Sequence, residues 1–462
     1  MLEKQFVTLP TKKIFFKLAV PNVLSMVFSS IYMMADGIFV GRFIGGNALA
    51  AVSLVMPIVT IIFALSNMIA IGSSVKVSTA LGEGNTQKAK EIFTASVLTI
   101  VGIGAVFSLI GIFFAKTIIF AVIQDDILAD LAYRYIEYFI YGLPFIMPMF
   151  AMDNFLRACG KAKYNMTVNI FVSILNIFLD WLFIAYLGYG IEFSAISSVG
   201  SILIGTIFSF APFFGKKMAL HFTKPKISLR EAWGIVYNGS SEFLSSISNA
   251  FMATVINIML LNLGGSVAVA SYGIVMYIDV LLIGALYGVL DSVQPVVSYN
   301  VGAKEIKRAF SFFRITCVAT AVLSGVCMAV IMIFPQALAS IFAKDNNAEI
   351  IKMTTSALLL FAPSYLFTWF NMSASAFLTA IDKPKESMII MLFRTVSPFV
   401  CVFALSSFMG VYGVYFTATV AGALTVIVSI VISINAKRKL KKQCVPAVQA
   451  VELQEKATEN YN

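Results

Sequence analysis

The sequence predicts an all-α integral membrane protein, with twelve transmembrane helices set out as two parallel six-helix repeats. Three observations predict it. Hydrophobic residues make up 59% of the chain and charged residues 12%, with a mean hydropathy of +0.90, whereas soluble domains carry about 25% charged residues. The apolar residues gather into runs long enough to cross hydrocarbon as helices, which takes about 20 residues each. They lack the alternating polar and apolar positions of a membrane barrel. Finally, the second half of the chain repeats motifs of the first.

In chain order the runs lie near 14–40, 50–76, 93–115, 134–156, 165–187, 192–214, 234–262, 268–297, 309–335, 354–378, 386–409 and 412–435. The first is too long for a signal-peptide core and no small-residue cleavage site follows it, so it reads as a retained helix. The next breaks are polar and basic in alternation. Loops with Lys88/Lys90, Lys161/Lys163, Lys216–Arg230, Lys304–Arg308 and Lys383/Lys385 lie on the side of the N-terminus. All but five of the 33 Lys and Arg residues fall there; the five are Arg42, Lys116, Arg134, Lys344 and Lys352. By the positive-inside rule both termini are cytoplasmic, in a bacterial cell membrane. The expected organisation is a cytoplasmic N-terminus at 1–13, a first lobe at 14–214, a basic linker loop at 215–233, a second lobe at 234–435 and a tail at 436–462. That tail reads AKRKLKKQ and then turns polar and acidic, which predicts a disordered end whose basic part is drawn to anionic lipid.

The net charge of +10 is thus topology, not a nucleic-acid surface. The five cysteines (Cys159, Cys317, Cys327, Cys401, Cys444) show no paired or metal-ligand spacing. His221, the single histidine, falls in the basic linker and reads as a solvated loop residue. Without a His-x-x-Glu-His or Gly-x-Ser-x-Gly arrangement, no catalytic residue and no cofactor is expected.

The repeat is visible in four places. IGGNALAAVS (Ile44–Ser53) answers LGGSVAVASY (Leu263–Tyr272) at an offset of 219, shared by Pro144 and Pro363. NFLRACGKAK (Asn154–Lys163) answers SAFLTAIDKPK (Ser375–Lys385), and Gly82–Lys88 resembles Gly302–Arg308. An even number of helices per half makes the repeats parallel, about an axis along the membrane normal. Two such halves with a cavity between them suit alternating access, and a transporter is the prediction.

Asp36 and Asp180 interrupt otherwise apolar runs. A carboxylate at the bilayer centre costs about 2.5–3.5 kcal/mol even on lenient scales, so it marks an ion or proton site by default. Asn176 and Asp180 are four apart and share a helix face. Asp180 lies ten residues before Gly190 and Ser198 eight after it, so across a tight turn their depths agree within about 3 Å. Asn176, Asp180, Ser198 and the Ser194 carbonyl would offer hard oxygens to one cation or proton. Asp36 lies at a comparable depth; spacing leaves open whether its helix touches the fifth. Asp153, beside Arg157, reads as half of a helix-end ion pair. Glu242, Asp279 and Asp291 are candidates for the wall of a central cavity.

These residues resemble the multidrug and toxic compound extrusion (MATE) family. The resemblance runs from Pro21 to about Asn435 and is carried by YMMADGIFVGRFIG (Tyr32–Gly45), NFLRACGK (Asn154–Lys161), NIFLDWLFI (Asn176–Ile184) and QPVVSYNVGAKEIKR (Gln294–Arg308). The last looks like the pattern of the bacterial, DinF-like branch. The resemblance implies two V-shaped six-helix bundles and an antiporter that exports cationic amphipathic organic compounds against inward Na+ or H+. It implies a coupling-ion site at Asp36, Asn176, Asp180 and Ser198, with Ser194 and Ser198 standing where the family commonly has Ala and Thr. It further implies a helix-one bend at Pro21 and cavity positions at Tyr32 and Asn154. A second-lobe ion site of another branch is not expected, because the tenth helix has no acid and Glu242 comes too early in the seventh. The expected partners are small organic cations and the lipid bilayer, and the default assembly is a monomer. The alternative is a lipid-linked oligosaccharide flippase of the same superfamily, kept open by Arg394 alone. A sugar-porter-type facilitator is excluded by LGEGNTQKAK after the second helix, where an Asp-Arg-x-Gly-Arg loop would stand.

Overall fold

The computed structural model describes residues 4–215, 218–342 and 348–459, with side-chain packing through residue 438. The described regular structure is wholly helical. Thr11–Ile44, Gly46–Gly82, Thr86–Val122, Asp126–Ala158, Ala162–Tyr186 and Ile191–Phe214 form the first half. Leu229–Gly302, Ile306–Ile333, Ala348–Ala380, Pro384–Met409 and a last helix from Val411 form the second. Leu229–Gly302 counts as two spans. A straight helix would put Ile235 about 96 Å from Tyr299, yet both backbones touch the second span within ten residues, at Gly72 and Gly82. The chain turns back at Gly265, whose φ of 65° only glycine adopts freely. Twelve spans result, with both ends of the bundle's chain on one face.

Three differences from the sequence reading have local causes. The seventh span begins at Leu229, inside the expected linker, because Ser228 and Glu231 close a capping box. The segment around His221 is packed, not solvated: Ala219 and Leu220 are buried, and Phe222 lies 5.0 Å from Phe93 of the third span. The last helix runs Val411–Glu459, through the basic run, where a disordered tail was expected. The first span stays helical across Pro21 (Thr11–Phe39), with no break at that residue.

The core is divided in a way that sets the cavity. On the face away from the termini each half has its own core. One is built around Val55, Tyr135 and Ile146, the other around Leu260, Tyr365 and Tyr415. On the terminal face a single core is shared, and Phe6, Leu81, Tyr299, Phe312 and Leu378 belong to it. The halves are therefore joined at one end and part toward the other.

The join is reciprocal. A Cβ on Gly82 would lie 2.1 Å from Tyr299 O, and one on Gly302 would lie 2.1 Å from Thr79 O. The second and eighth spans, equivalent in the repeat, thus cross backbone to backbone. Salt bridges Lys76–Asp382 and Lys88–Glu231 tie the same face from half to half. The N-terminal segment adds a strap, since Arg308 donates to Phe6 O at 2.9 Å and also to Leu9 O. We predict that Gly82→Ala and Gly302→Ala each lower the thermal midpoint in detergent, through an overpacking cost of about 1–3 kcal/mol. Gly325→Ala, where a Cβ meets nothing within 4 Å, should keep or raise it, since Ala gains about 1 kcal/mol in a helix.

Candidate ion site and central cavity

The first span carries two working faces. Met26, Ser29, Ser30 and Met33, at helical spacing, face the cavity between the halves. Tyr32 and Asp36, four apart, share a different face, turned toward the fifth and sixth spans. The contact that spacing could not derive is made: Ser194 Oγ of the sixth span donates to Asp36 Oδ1 at 2.7 Å. Ser194 therefore contributes its hydroxyl, where the sequence suggested its carbonyl.

Asp180 lies next to Asp36 and is completely buried. Neither of its oxygens meets a hydrogen-bond donor among the described residues. Ser197 stands beside it, but the Ser197 hydroxyl donates instead to Phe193 O at 2.8 Å. Asn176 Nδ2 donates to Ser198 Oγ at 3.1 Å, and Asn176 Oδ1 is likewise buried without a donor among the described residues. Three buried acceptor oxygens on the fifth span thus lack a hydrogen-bond donor among the described residues. Asp36, Asp180 and Ser194 meet, and Asn176, four residues before Asp180 on the fifth span, pairs with Ser198.

Backbone geometry helps to place them. After both aspartates the helix widens to i→i+5 bonding: Gly45 N donates to Val40 O at 3.1 Å and Leu187 N to Leu182 O at 3.0 Å. Such turns recur at functional sites. Two tyrosines face the carboxylates, Tyr32 and Tyr135. Tyr32 was expected on the cavity wall; its four-residue spacing from Asp36 puts it on the ion-site face instead. Tyr135 was not singled out from the sequence. It is buried, and its hydroxyl reaches Met56 Sδ at 3.9 Å. Met56 itself lines the cavity, so Tyr135 stands between the two sites.

The cavity is walled by the first, second, fourth, seventh and eighth spans. Asn154 and Glu242 line it as expected, together with Asp153, Arg157 and Asp291. Asp279 does not line it. That carboxylate accepts the Tyr365 hydroxyl at 2.6 Å inside the second half, because its position on the eighth span faces the tenth. Asp153 is not paired with Arg157. The Arg157 guanidinium donates to Asn22 Oδ1 and Asn154 Oδ1, both at 3.0 Å. Asn22 Nδ2 in turn donates to Gly288 O at 2.8 Å. This chain of bonds runs from the fourth span through the first to the eighth, so it bridges the halves at the cavity floor. Asn22 gave no signal beyond standing next to Pro21.

The model of the family described as MatE matches residues 21–182 and again 243–404. The chain belongs to the MatE family. The double match is the internal duplication seen in the motifs. The Staphylococcus haemolyticus multidrug export protein MepA is 24% identical over 436 residues, covering 91% of this chain and 93% of that protein. The Staphylococcus aureus MepA of strain MSSA476 is 24% identical over 439 residues, covering 92% of this chain and 93% of that protein. Among solved structures, MATE in complex with MaL6 matches with a TM-score of 0.91 at 23% identity, over 95% of this chain and 99% of that one. An outward-facing multidrug resistance MATE transporter matches with a TM-score of 0.89 at 22% identity, over 95% and 98% of the two chains. The fold of this MatE protein is that of the solved MATE structures.

A buried carboxylate without donors weakens its own fold. Burying an uncompensated charge costs several kcal/mol. We predict that Asp180→Asn raises the thermal midpoint in Na+-free neutral buffer, because the new amide can donate to Asp36 or Asn176 Oδ1. A fall in the midpoint would mean that Asp180 has structural partners beyond those seen.

Proposed function

We propose that this protein is a multidrug efflux antiporter that exports cationic amphipathic organic compounds in exchange for inward Na+ or H+. One observation carries the reading. The first span lines an acid-bearing cavity with one face and with another sets Asp36 against Asp180 of the fifth span, whose oxygens meet no donor among the described residues. Two buried carboxylates side by side cost several kcal/mol per ion unless a cation or proton sits between them. The oxygen-only set of Asp36, Asn176, Asp180 and Ser198 suits Na+ as a hard cation, and the same carboxylates suit a proton. Among the described residues no cluster of three or more His, Cys, Asp or Glu side chains could hold another metal.

The relatives named as multidrug export proteins support this reading, and so does the family. The positive-inside distribution puts the shared core at the cytoplasm, so the cavity opens outward in this conformation. Loading an ion at Asp36 and Asp180 would reset the first span, and with it the wall formed by Met26, Ser30 and Met33. That shift releases the drug outward. Return to the inward-open state delivers the ion to the cytoplasm. Each unit of net charge moved down a 100 mV potential supplies about 2.3 kcal/mol; a 1:1 exchange with a monocation moves none and runs on the concentration gradient of the ion. The cycle moves the substrate without changing any of its bonds, as a transporter does and an enzyme does not. A flippase would need a cavity dominated by cations for pyrophosphate; here Asp153, Glu242 and Asp291 outnumber Arg157.

The test is ethidium movement in proteoliposomes under an imposed Na+ gradient or pH gradient. One of the two should drive transport, and Asp180→Asn and Asp36→Asn should each abolish the driven component while dye binding persists. If neither gradient moves the dye, the antiport reading falls and the flippase takes its place. If Asp180→Asn leaves the coupled rate intact, the pair is not the coupling site.

A further inference from the structure

Behind the cavity lies a narrow chamber lined almost wholly by the second half. Glu242 and Asp291 line both spaces, whereas Arg394 of the eleventh span lines the chamber alone. Its height is fixed by packing of the seventh span on the eleventh. Thr395 Oγ1 donates to Ser248 Oγ at 2.7 Å, and Phe251 stacks on Phe399 at 5.4 Å. Arg394 is an electrostatic neighbour of Glu242 and of Asp279, yet it makes no salt bridge with any acid among the described residues. Its Nη1 is buried without a hydrogen-bond partner among them. It is therefore placed as a background charge and not as half of an ion pair.

The charges around the joined spaces can be weighed one by one. Asp153, Glu242 and Asp291 face Arg157 and Arg394. Arg157 is committed to Asn22 and Asn154. A guanidinium keeps its charge in proteins, so Arg394 contributes one positive charge whatever protons the acids hold. With all five ionised, one negative charge is in excess. A singly charged cation neutralises it, whereas a doubly charged one leaves one positive charge in excess. We infer that Arg394 is a specificity-determining residue that sets the cavity for substrates bearing a single positive charge. This deepens the proposed export reading and rests on it. At an effective dielectric near 20, a unit charge within about 10 Å alters binding by about tenfold for each further charge on the ligand.

The experiment compares ethidium, a monocation, with DAPI, a dication, in proteoliposomes of wild type, Arg394→Gln, Arg394→Lys and the double variant Arg394→Gln with Glu242→Gln. The DAPI-to-ethidium transport ratio should rise about tenfold in Arg394→Gln. It should stay near the wild-type ratio in Arg394→Lys, and fall back in the double variant, where the excess charge is restored. A ratio unmoved in Arg394→Gln while ethidium is still exported overturns the inference and leaves the exporter reading standing. Equal shifts in the Gln and Lys variants overturn it as well, because shape and not charge would then be read. If the wild type moves neither dye, the exporter reading fails and this inference with it. Should Arg394→Gln not fold, Arg394→His carries the same test through equilibrium dye binding between about pH 5.5 and about pH 8.5. Its ratio must rise with pH relative to wild type, and a parallel course in both proteins overturns the inference.

Discussion

Asp180 is wholly buried with no donor to either oxygen among the described residues, and its nearest charge is another carboxylate, Asp36. Most of the first half is arranged around that constraint. The helix widens just beyond each aspartate, and Ser194 holds Asp36 in place. Asn176 spends its amide on Ser198, and its oxygen is buried without a donor among the described residues. A site of this kind is unstable by design and gains stability from what it binds. That is the property a carrier needs, because a site satisfied by its own donors would have no reason to load or unload.

The second constraint is mechanical. Two halves that share a core on one face and keep separate cores on the other can exchange which face is joined, provided the joined face is not too costly to open. Here the joined face combines backbone contact at Gly82 and Gly302 with polar ties: Lys76–Asp382, Lys88–Glu231 and the Arg308 strap on the N-terminal segment. Exposed ion pairs contribute about 0–1 kcal/mol each. The polar ties can therefore exchange with water at small cost, while the helix contact supplies geometry.

The fold was largely legible in the sequence, and so were the main carboxylates of the candidate site, for a physical reason. Apolar runs of membrane length have few alternative structures, and a carboxylate inside one is too costly to be incidental. The turn at Gly265 could be read from the break between two runs, and the Asn176–Asp180 pair from four-residue spacing. Tyr32 was readable by the same rule, since it lies four residues before Asp36, but its assignment to the cavity followed family likeness and not spacing. Asn22 and Tyr135 could not be found in this way. Asparagine and tyrosine are tolerated in membrane helices wherever a neighbour satisfies them, and that neighbour is known only from tertiary packing. Asp153 and Arg157 misled for the same reason: closeness in sequence suggested an ion pair, whereas the arginine's partners come from the first span and from Asn154.

The separation of the two acid sets bears on how coupling could work. If substrate and ion competed for one carboxylate, exchange would follow from occupancy alone. Asp36 and Asp180 lie off the cavity wall, which is lined by Asp153, Glu242 and Asp291, so on the proposed reading direct displacement cannot connect them. The connection must pass through shared structure. Two elements qualify: the first span, with its cavity face and its ion face, and Tyr135, packed between the carboxylates and the cavity residue Met56. A rotation of the first span by a fraction of a turn would alter both faces at once, and Asn22, on the same helix, would carry that rotation to Gly288 and the second half. Substrate range and ion choice then become separable properties. On that reading a change of charge on the cavity wall would leave the carboxylate pair as it is.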